Sequence, residues 1–217
     1  MTQQTSLPLE GVRVLDLTQV QFGPCATQVL GDFGAEIIKI ERPGDGDICR
    51  STDPFIVEPN GESAYFLGLN RNKRGMALNM GTAAGAKIVM ELLDQADVLV
   101  HNFRPGVAER LGLGYDKLKE TYPRLIYAAG SGFGPSGPLA HKGGQDFLAQ
   151  SLSGLASRNP DADGVPQLFP TALGDFTSGM VLAQGILMAL YQRERTGLGQ
   201  RIDVCLLDVL ITLQQQE

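Results

Sequence analysis

Few side chains in this sequence are candidates for bond-making chemistry, and Asp175 leads them. The stretch Thr171-Ala-Leu-Gly-Asp-Phe-Thr-Ser-Gly-Met180 places one carboxylate, directly after Gly174, in the first turn of a long apolar helix. That helix runs on through residues 181–190 to Arg195, and Gly197 and Gly199 supply its stop signal. A carboxylate in this place can cap the helix, a contribution of about 0.5–2 kcal/mol. It can also act as a covalent nucleophile toward an activated carbonyl carbon. The two roles share physics: amides at a helix start favour the ionised form, and the ionised form attacks. The expectation is therefore an ionised Asp175, with backbone amides near Gly174 or Gln21 available to a developing oxyanion.

The elements that must position Asp175 read as a parallel α/β sheet. Residues 12–17 are a β-branched, apolar strand, broken by Gln21-Phe-Gly-Pro24. Residues 25–33 read as a short helix and residues 36–41 as a second strand, which makes a βαβ unit. In such sheets ligands sit outside the carboxyl ends of the strands. The segment 19–22 and Arg42 fall at that edge. Arg42 has the planar donor fork that suits a phosphate, although an exposed arginine at a strand end is the plainer reading, and Glu41 is placed to hold a ribose. Residues 43–64 form a long polar loop, a length that goes with function or mobility.

Further along, the basic run Asn70-Arg-Asn-Lys-Arg74 reads as a solvated turn and 76–79 as a short strand. Residues 82–95 carry Ile88, Val89, Leu92 and Leu93 at helical spacing. Residues 98–100 are a buried strand ending in His101-Asn-Phe-Arg104, followed by short helices over 107–111 and 115–120. Residues 124–129 are another strand. The glycine-rich run 130–137 is no dinucleotide fingerprint, because Pro135 and Pro138 oppose a helix starting behind it. Residues 146–157 read as a helix with Asp146 in a capping role, residues 200–207 as a strand, and 208–217 as the start of a helix.

Composition limits the function classes. The chain has 217 residues, 43% hydrophobic and 19% charged, which fits one ordinary globular domain. Its net charge of -6 comes with dispersed basic residues, against a nucleic-acid footprint. No leader peptide is expected at the N-terminus, and no apolar run long enough to span a bilayer, the best candidate at 180–191 being broken by Gln184 and Gly185. Cys25, Cys49 and Cys205 lack metal spacing, so reduced thiols in a cytoplasm are the default. With only His101 and His141 present, a histidine metal site or a Ser/His/Asp triad is disfavoured.

Several segments together resemble one family. They are Leu9-Glu-Gly-Val-Arg-Val-Leu-Asp-Leu17, Gly34-Ala-Glu-Ile-Ile-Lys-Ile-Glu-Arg-Pro-Gly44, Asn72-Lys-Arg74, Ala96-Asp-Val-Leu-Val-His-Asn-Phe-Arg-Pro-Gly106 and Gly197-Leu-Gly-Gln-Arg-Ile-Asp-Val204. In this order they resemble the class III coenzyme A transferases, the group holding formyl-CoA transferase, the carnitine CoA-transferase and α-methylacyl-CoA racemase. The resemblance implies a Rossmann-like parallel sheet with helices on both faces and transfer of coenzyme A, carried as an acyl thioester, between carboxylic acids without a metal. It implies a homodimer, interlocked in the family, with no nucleic-acid or membrane partner. Asp175 of Gly174-Asp175 becomes the nucleophile. The CoA contacts become Gln21, Phe22, Arg42, Leu78, Asn79, Asn102, Phe103, Arg104 and Arg110, with Lys142 to Gln145 beside the pantetheine arm and Tyr65 at the acyl group.

The resemblance also implies that residues 1–217 are the N-terminal part of a large domain. A small second domain would lie further along the chain, in which case this is a piece of a longer chain, one subunit of a split pair, or a remnant. Two rivals remain open. The racemase branch carries a histidine where this chain has Gln145, which removes one of two bases needed for α-proton exchange. A non-catalytic CoA-binding remnant is the other; a nicotinamide dehydrogenase is a distant third.

Overall fold

A computed structural model of the chain describes residues 6–52, 56–57 and 61–215. From the N-terminus come β1 (Arg13–Asp16), α1 (Phe22–Asp32), β2 (Glu36–Glu41), β3 (Ile56–Val57), β4 (Glu62–Ser63), α2 (Ala64–Asn70) and β5 (Lys73–Ala77). Then follow α3 (Ala83–Leu93), β6 (Val98–His101), α4 (Val107–Arg110), α5 (Tyr115–Thr121) and β7 (Ile126–Ser131). The chain continues with α6 (Asp146–Leu152), α7 (Leu173–Thr196), β8 (Arg201–Cys205) and α8 (Leu206–Thr212). Six strands form one parallel sheet in the order β5-β2-β1-β6-β7-β8, and β3 and β4 pair antiparallel by themselves.

The register is set by side-chain alternation. Val14 lies opposite Ile37 on one side and Val98 on the other, and Val98 opposite Ile126. These residues face one layer, where Phe22, Ala26 and Leu30 of α1, Leu182 and Ile186 of α7, and Leu206 and Leu210 of α8 cover them. The neighbours Leu15, Leu99 and Tyr127 face the other layer, against Val89 and Leu93 of α3, Ala108 of α4 and Leu118 of α5. Helices therefore cover both faces. Progress along the sheet reverses between β1 and β6, the place where doubly wound sheets open a crevice at their carboxyl edge.

Several boundaries depart from the sequence expectation. Helix α1 starts at Phe22 and takes Pro24 into its first turn, where the missing N–H costs nothing. The expected helix over 146–157 ends at Leu152, and a separate 3-10 turn, Leu155–Arg158, follows Gly154 at φ 82. Strand β8 stops at Cys205 and α8 starts at Leu206; residues 216–217 of the expected last helix lie outside the described residues. The polar loop over 43–64 contains a 3-10 turn, Ile48–Arg50, and the β3–β4 pair; its residues 53–55 and 58–60 lie outside the described residues. By length and composition α7, with a window of mean hydropathy 1.4, does reach what a membrane span requires. In the fold it is a core helix, with Leu182, Ala183, Ile186 and Ala189 buried.

The larger correction concerns the basic run. Strand β5 begins at Lys73, not Met76, and the Lys73 side chain is 2% exposed rather than solvated. Its Nζ lies 3.2 Å from the buried Asp16 carboxylate. Burial works against the charge on Asp16. The ammonium groups of Lys73 and Lys39, with donors from Thr18 and Thr27, outweigh it and hold the carboxyl below its ordinary value. Lys39 joins Asp47 (3.1 Å) to the Thr18 carbonyl (2.7 Å), and Asp47 accepts the Val20 amide at 3.1 Å. Two buried ion pairs thus fix the segment between β1 and α1, in which Val20 is held at φ 66, a left-handed conformation costly for a β-branched residue.

Breaking one pair leaves a buried charge without its partner. Lys73→Met is expected to lower unfolding free energy by about 3–5 kcal/mol in urea titrations, and adding Asp16→Asn to recover part of the loss. A loss below about 1 kcal/mol would show that Asp16 is solvated.

Candidate active site at the sheet switch point

The loops after β1 and β6 are tied to each other by side-chain-to-backbone hydrogen bonds. Asn102 Oδ1 accepts the Gln19 amide at 2.9 Å, and Asn102 Nδ2 donates to the Gln19 carbonyl at 2.7 Å. This reciprocal pair locks the two rims of the crevice. Beside it opens a cavity of about 850 Å³. Gln19, Val20 and Phe22 line it from the β1 side, Asn102, Phe103 and Arg104 from the β6 side, and Ser131 and Gly132 from the end of β7. Lys142 to Leu148, Ala172, Asp175 and Tyr65 complete the wall. Its size is that of a pocket for a sizeable small molecule.

Asp175 is the third residue of α7. The N-cap position is Ala172, which has no side chain able to cap. The missing acceptor comes from another helix: Asp146, first residue of α6 and 6% exposed, accepts the Asp175 amide on Oδ2 at 2.7 Å. Its Oδ1 accepts from Gln150 Nε2 at 2.5 Å. Gln150 in turn donates to the Thr171 carbonyl (3.1 Å) and accepts the Phe169 amide (2.9 Å), so it clamps the turn leading into α7. The capping role expected of Asp146 is present, but it serves α7 rather than its own helix. Gly174 makes this possible, since a methyl there would stand 2.9 Å from Asp146 Oδ2.

The expected ionisation of Asp175 needs correction. Burial, and then the Asp146 charge beside it, raise the Asp175 carboxyl from the ordinary 3.8 to about 7. The helix-start amide that would have favoured the anion is engaged by Asp146. Facing Asp175 are Cys25 of α1, pushed up to about 11 by burial and by the Asp175 charge, and Tyr65 of α2, whose hydroxyl burial also raises. Tyr65 donates to Gln21 Oε1 at 2.6 Å, which turns the Gln21 amide nitrogen toward the Ala172 carbonyl at 3.5 Å.

Of the residues singled out in the sequence, Asp175, Phe22, Asn102, Phe103, Arg104, Lys142, Gln145 and Tyr65 line the one cavity, and Gln21 touches it through Tyr65. Gly174 lies buried behind Asp175, between Asp146 and Leu210. Four others are placed elsewhere on the carboxyl edge. Arg42 is exposed and pairs with Asp45 at 3.4 Å. Leu78 packs on the core beneath α3, Asn79 accepts the Gly81 amide at 3.0 Å in the turn entering α3, and Arg110 is exposed at the end of α4. Glu41 is not available to a ribose: it holds Arg50 at 2.7 Å and the Asp47 amide at 2.8 Å. His101 is structural. Its Nδ1 accepts the Phe103 amide at 3.3 Å, so the neutral ring gives its Nε2 proton to Tyr127 at 2.8 Å, and burial lowers it to about 4.

Residues 9–217 of this chain match the pattern of CoA-transferase family III. The chain belongs to that family. Among relatives, the succinyl-CoA:glutarate CoA-transferase of Mus musculus is 46% identical over 92% of this chain and 45% of its own. The acetyl-CoA:oxalate CoA-transferase of Acetobacter aceti is 44% identical over 96% of this chain and 53% of its own. A CaiB/BaiF family protein from Brucella suis superposes with a TM-score of 0.92 at 36% identity, covering 98% of this chain and 56% of that one. A hypothetical protein from Mycobacterium tuberculosis gives 0.89 at 40% identity, covering 97% and 57%. The chain therefore spans about half the length of the family members it matches.

Sequence reasoning did not single out Ser131, Gly132, Phe147 and Leu148 as wall residues. Gly132 and Gly144 do carry a signal: their backbones cross so closely that a methyl on either would overlap the other's Cα. Phe147 and Leu148, 53% and 48% exposed, read in the sequence as the apolar side of an ordinary helix.

The raised Asp175 carboxyl has a sign for stability. The folded state holds this proton more tightly than the unfolded chain, so the contribution is full below about pH 4 and lost as pH rises through about 7. His101 acts in the opposite sense, its depressed value adding stability as pH climbs from about 4 to 6.5. Asp175→Asn is therefore expected to stabilise the fold at pH 8 by about 2–4 kcal/mol and to leave it nearly unchanged at pH 4, read by urea unfolding. Equal stability of the two proteins at both pH values would show that Asp175 is an ordinary solvated carboxylate.

Proposed function

We propose that this chain carries the acyl-exchange site of a CoA-transferase that moves coenzyme A between an acyl-CoA and a free carboxylic acid. The observation that supports the reading most is the Asp175 carboxylate set in the wall of an 850 Å³ cavity at the sheet switch point, with Arg104 and Lys142 on the same wall. The names of the relatives support the reaction class.

The steps use Asp175 alone as the covalent group. One Asp175 oxygen attacks the thioester carbonyl, the C–S bond breaks, and CoA leaves as thiolate from a mixed anhydride. The thiolate then attacks the Asp175 carbonyl of that anhydride. The donor acid leaves as carboxylate, and an aspartyl-CoA thioester remains. The acceptor carboxylate attacks this thioester and again releases thiolate. Attack of the thiolate on the acceptor's acyl carbon gives the new acyl-CoA and returns the Asp175 carboxylate.

In this reading Arg104 and Lys142 hold anionic groups of CoA through charge-assisted bonds. Phe22, Phe103 and Gln145 line the pantetheine path, and Tyr65 with Gln21 borders the acyl group. The nucleotide end extends along the carboxyl edge toward Arg42, Leu78, Asn79 and Arg110. The Asp175 amide is engaged by Asp146, so oxyanion donors come from the start of α1, which has no side-chain cap. The acting unit is a homodimer. A carboxyl that titrates near 7 also suits a general base for α-proton exchange, but among the described residues the cavity wall carries Gln145, and no histidine, where a second base is needed.

The test is acyl-CoA incubation with hydroxylamine, measured on the protein with any further chain region or partner it acts with. Peptide mass spectrometry should find the hydroxamate at Asp175, and Asp175→Ala should lose transfer by at least about a thousandfold. The rate should rise with pH to a plateau above about 7, as the attacking anion forms. Arg104→Ala should act mainly on KM for the CoA ester. Undiminished transfer by Asp175→Ala would sink the proposal, and solvent deuterium entering the α-position without transfer would replace it by racemisation.

A further inference from the structure

We propose that Asp146 is the positioning residue for Asp175: its carboxylate, supplied by α6, caps α7 in place of the absent Ala172 side chain and holds a negative charge against the nucleophile. The inference deepens the transfer reading and rests on it for its functional meaning.

The geometry carries it. A capping acceptor is ordinarily the N-cap residue's own side chain, and here that residue is alanine. The substitute bond, 2.7 Å from the Asp175 amide to Asp146 Oδ2, ends on the nucleophile's own backbone. It therefore sets the position of Asp175 rather than that of the helix in general. Asp146 is itself held by Gln150, which also ties down the Thr171 carbonyl and the Phe169 amide on the approach to α7. Gly174 leaves the space the carboxylate needs. A purely structural cap could be a neutral oxygen, such as that of serine or asparagine. Two carboxyl groups brought together in a buried wall have an additional effect, since like charges resist simultaneous ionisation.

Other elements bring titratable groups to Asp175 without bringing charge at neutral pH. Cys25 comes from α1 and Tyr65 from α2, and burial keeps both protonated there. Arg104, from the loop after β6, and Lys142, before α6, stand further along the same wall. Burial and the Asp146 charge together set the raised Asp175 carboxyl. The chemical consequence is a nucleophile that rests protonated below neutral pH and attacks as a poorly solvated anion above it. Its reactivity is then governed by a neighbouring carboxylate that forms no covalent bond in the transfer.

The test is a 13C NMR titration of aspartate-labelled protein, in the wild type, Asp146→Asn and Asp146→Ala. The wild-type Asp175 carboxyl should titrate near 7. In both variants its midpoint should fall by roughly one pH unit, because the charge is gone. The Asp175 amide separates the two roles. Asparagine still offers it an acceptor, so hydrogen exchange should stay slow in Asp146→Asn, whereas Asp146→Ala should speed it by roughly fivefold or more. In the transferring assembly the pH–rate profile of Asp146→Asn should move to lower pH with the midpoint. An unchanged midpoint in Asp146→Asn overturns the proposal. So does a wild-type Asp175 that titrates in the ordinary carboxylate range, a result that needs no variant to fold. Because titration needs no turnover, failure to trap an acyl group at Asp175 would overturn the transfer reading while these midpoints stood as support.

Discussion

The contact between the Asp146 carboxylate and the start of α7 is the constraint on which the site depends. A helix whose N-cap is alanine has no capping side chain of its own for its first-turn amides. The fold supplies one from α6, and Gly132 at the end of β7 packs directly on Gly144 just before α6. The same oxygen atoms that complete the helix bring a second carboxyl group to Asp175. Helix geometry and acid strength are thereby coupled at one bond. Gly174 is the space that lets them meet.

The opposite rim is organised by a different kind of force. Buried ion pairs from Lys73 and Lys39 hold Asp16 and Asp47, and Asp47 holds the backbone at Val20. Charges so deeply buried are a weak source of net stability. Their effect is on conformation: a left-handed valine persists only where its surroundings over-determine it. From there the chain enters α1, and the Asn102–Gln19 pair ties this rim to the one after β6. The cavity is thus bounded by two walls of separate origin, one fixed by ion pairs and one by a borrowed cap.

Much of this was legible in the sequence. The βαβ periodicity gave the parallel sheet, and the motif order gave the family, because apolar strands and glycine stops are local patterns. Strand ends placed the segment 19–22 and Asn102 to Arg104 at one edge, and the family resemblance added Tyr65 and Lys142 beside Asp175. What was hidden was pairing across long sequence distances. Nothing local marks Lys73 as buried, because its partner Asp16 lies in a different strand. Nothing local marks Asp146 as the cap of a helix that begins 27 residues later, at Leu173. The expectation of an ionised Asp175, drawn from helix-start amides, left out burial and the Asp146 charge, which raise its carboxyl to about 7.

The crossing of Gly132 over Gly144 has a mechanical consequence. Where two main chains touch with no side chain between them, there are no rotamers to absorb a small displacement. The end of β7 and the segment entering α6 are geared together at that point. Any movement that widened the cavity by shifting Lys142 would be passed to the strand on one side and to Asp146 on the other. Ligand entry and the seating of α7 are thereby joined through bare backbone.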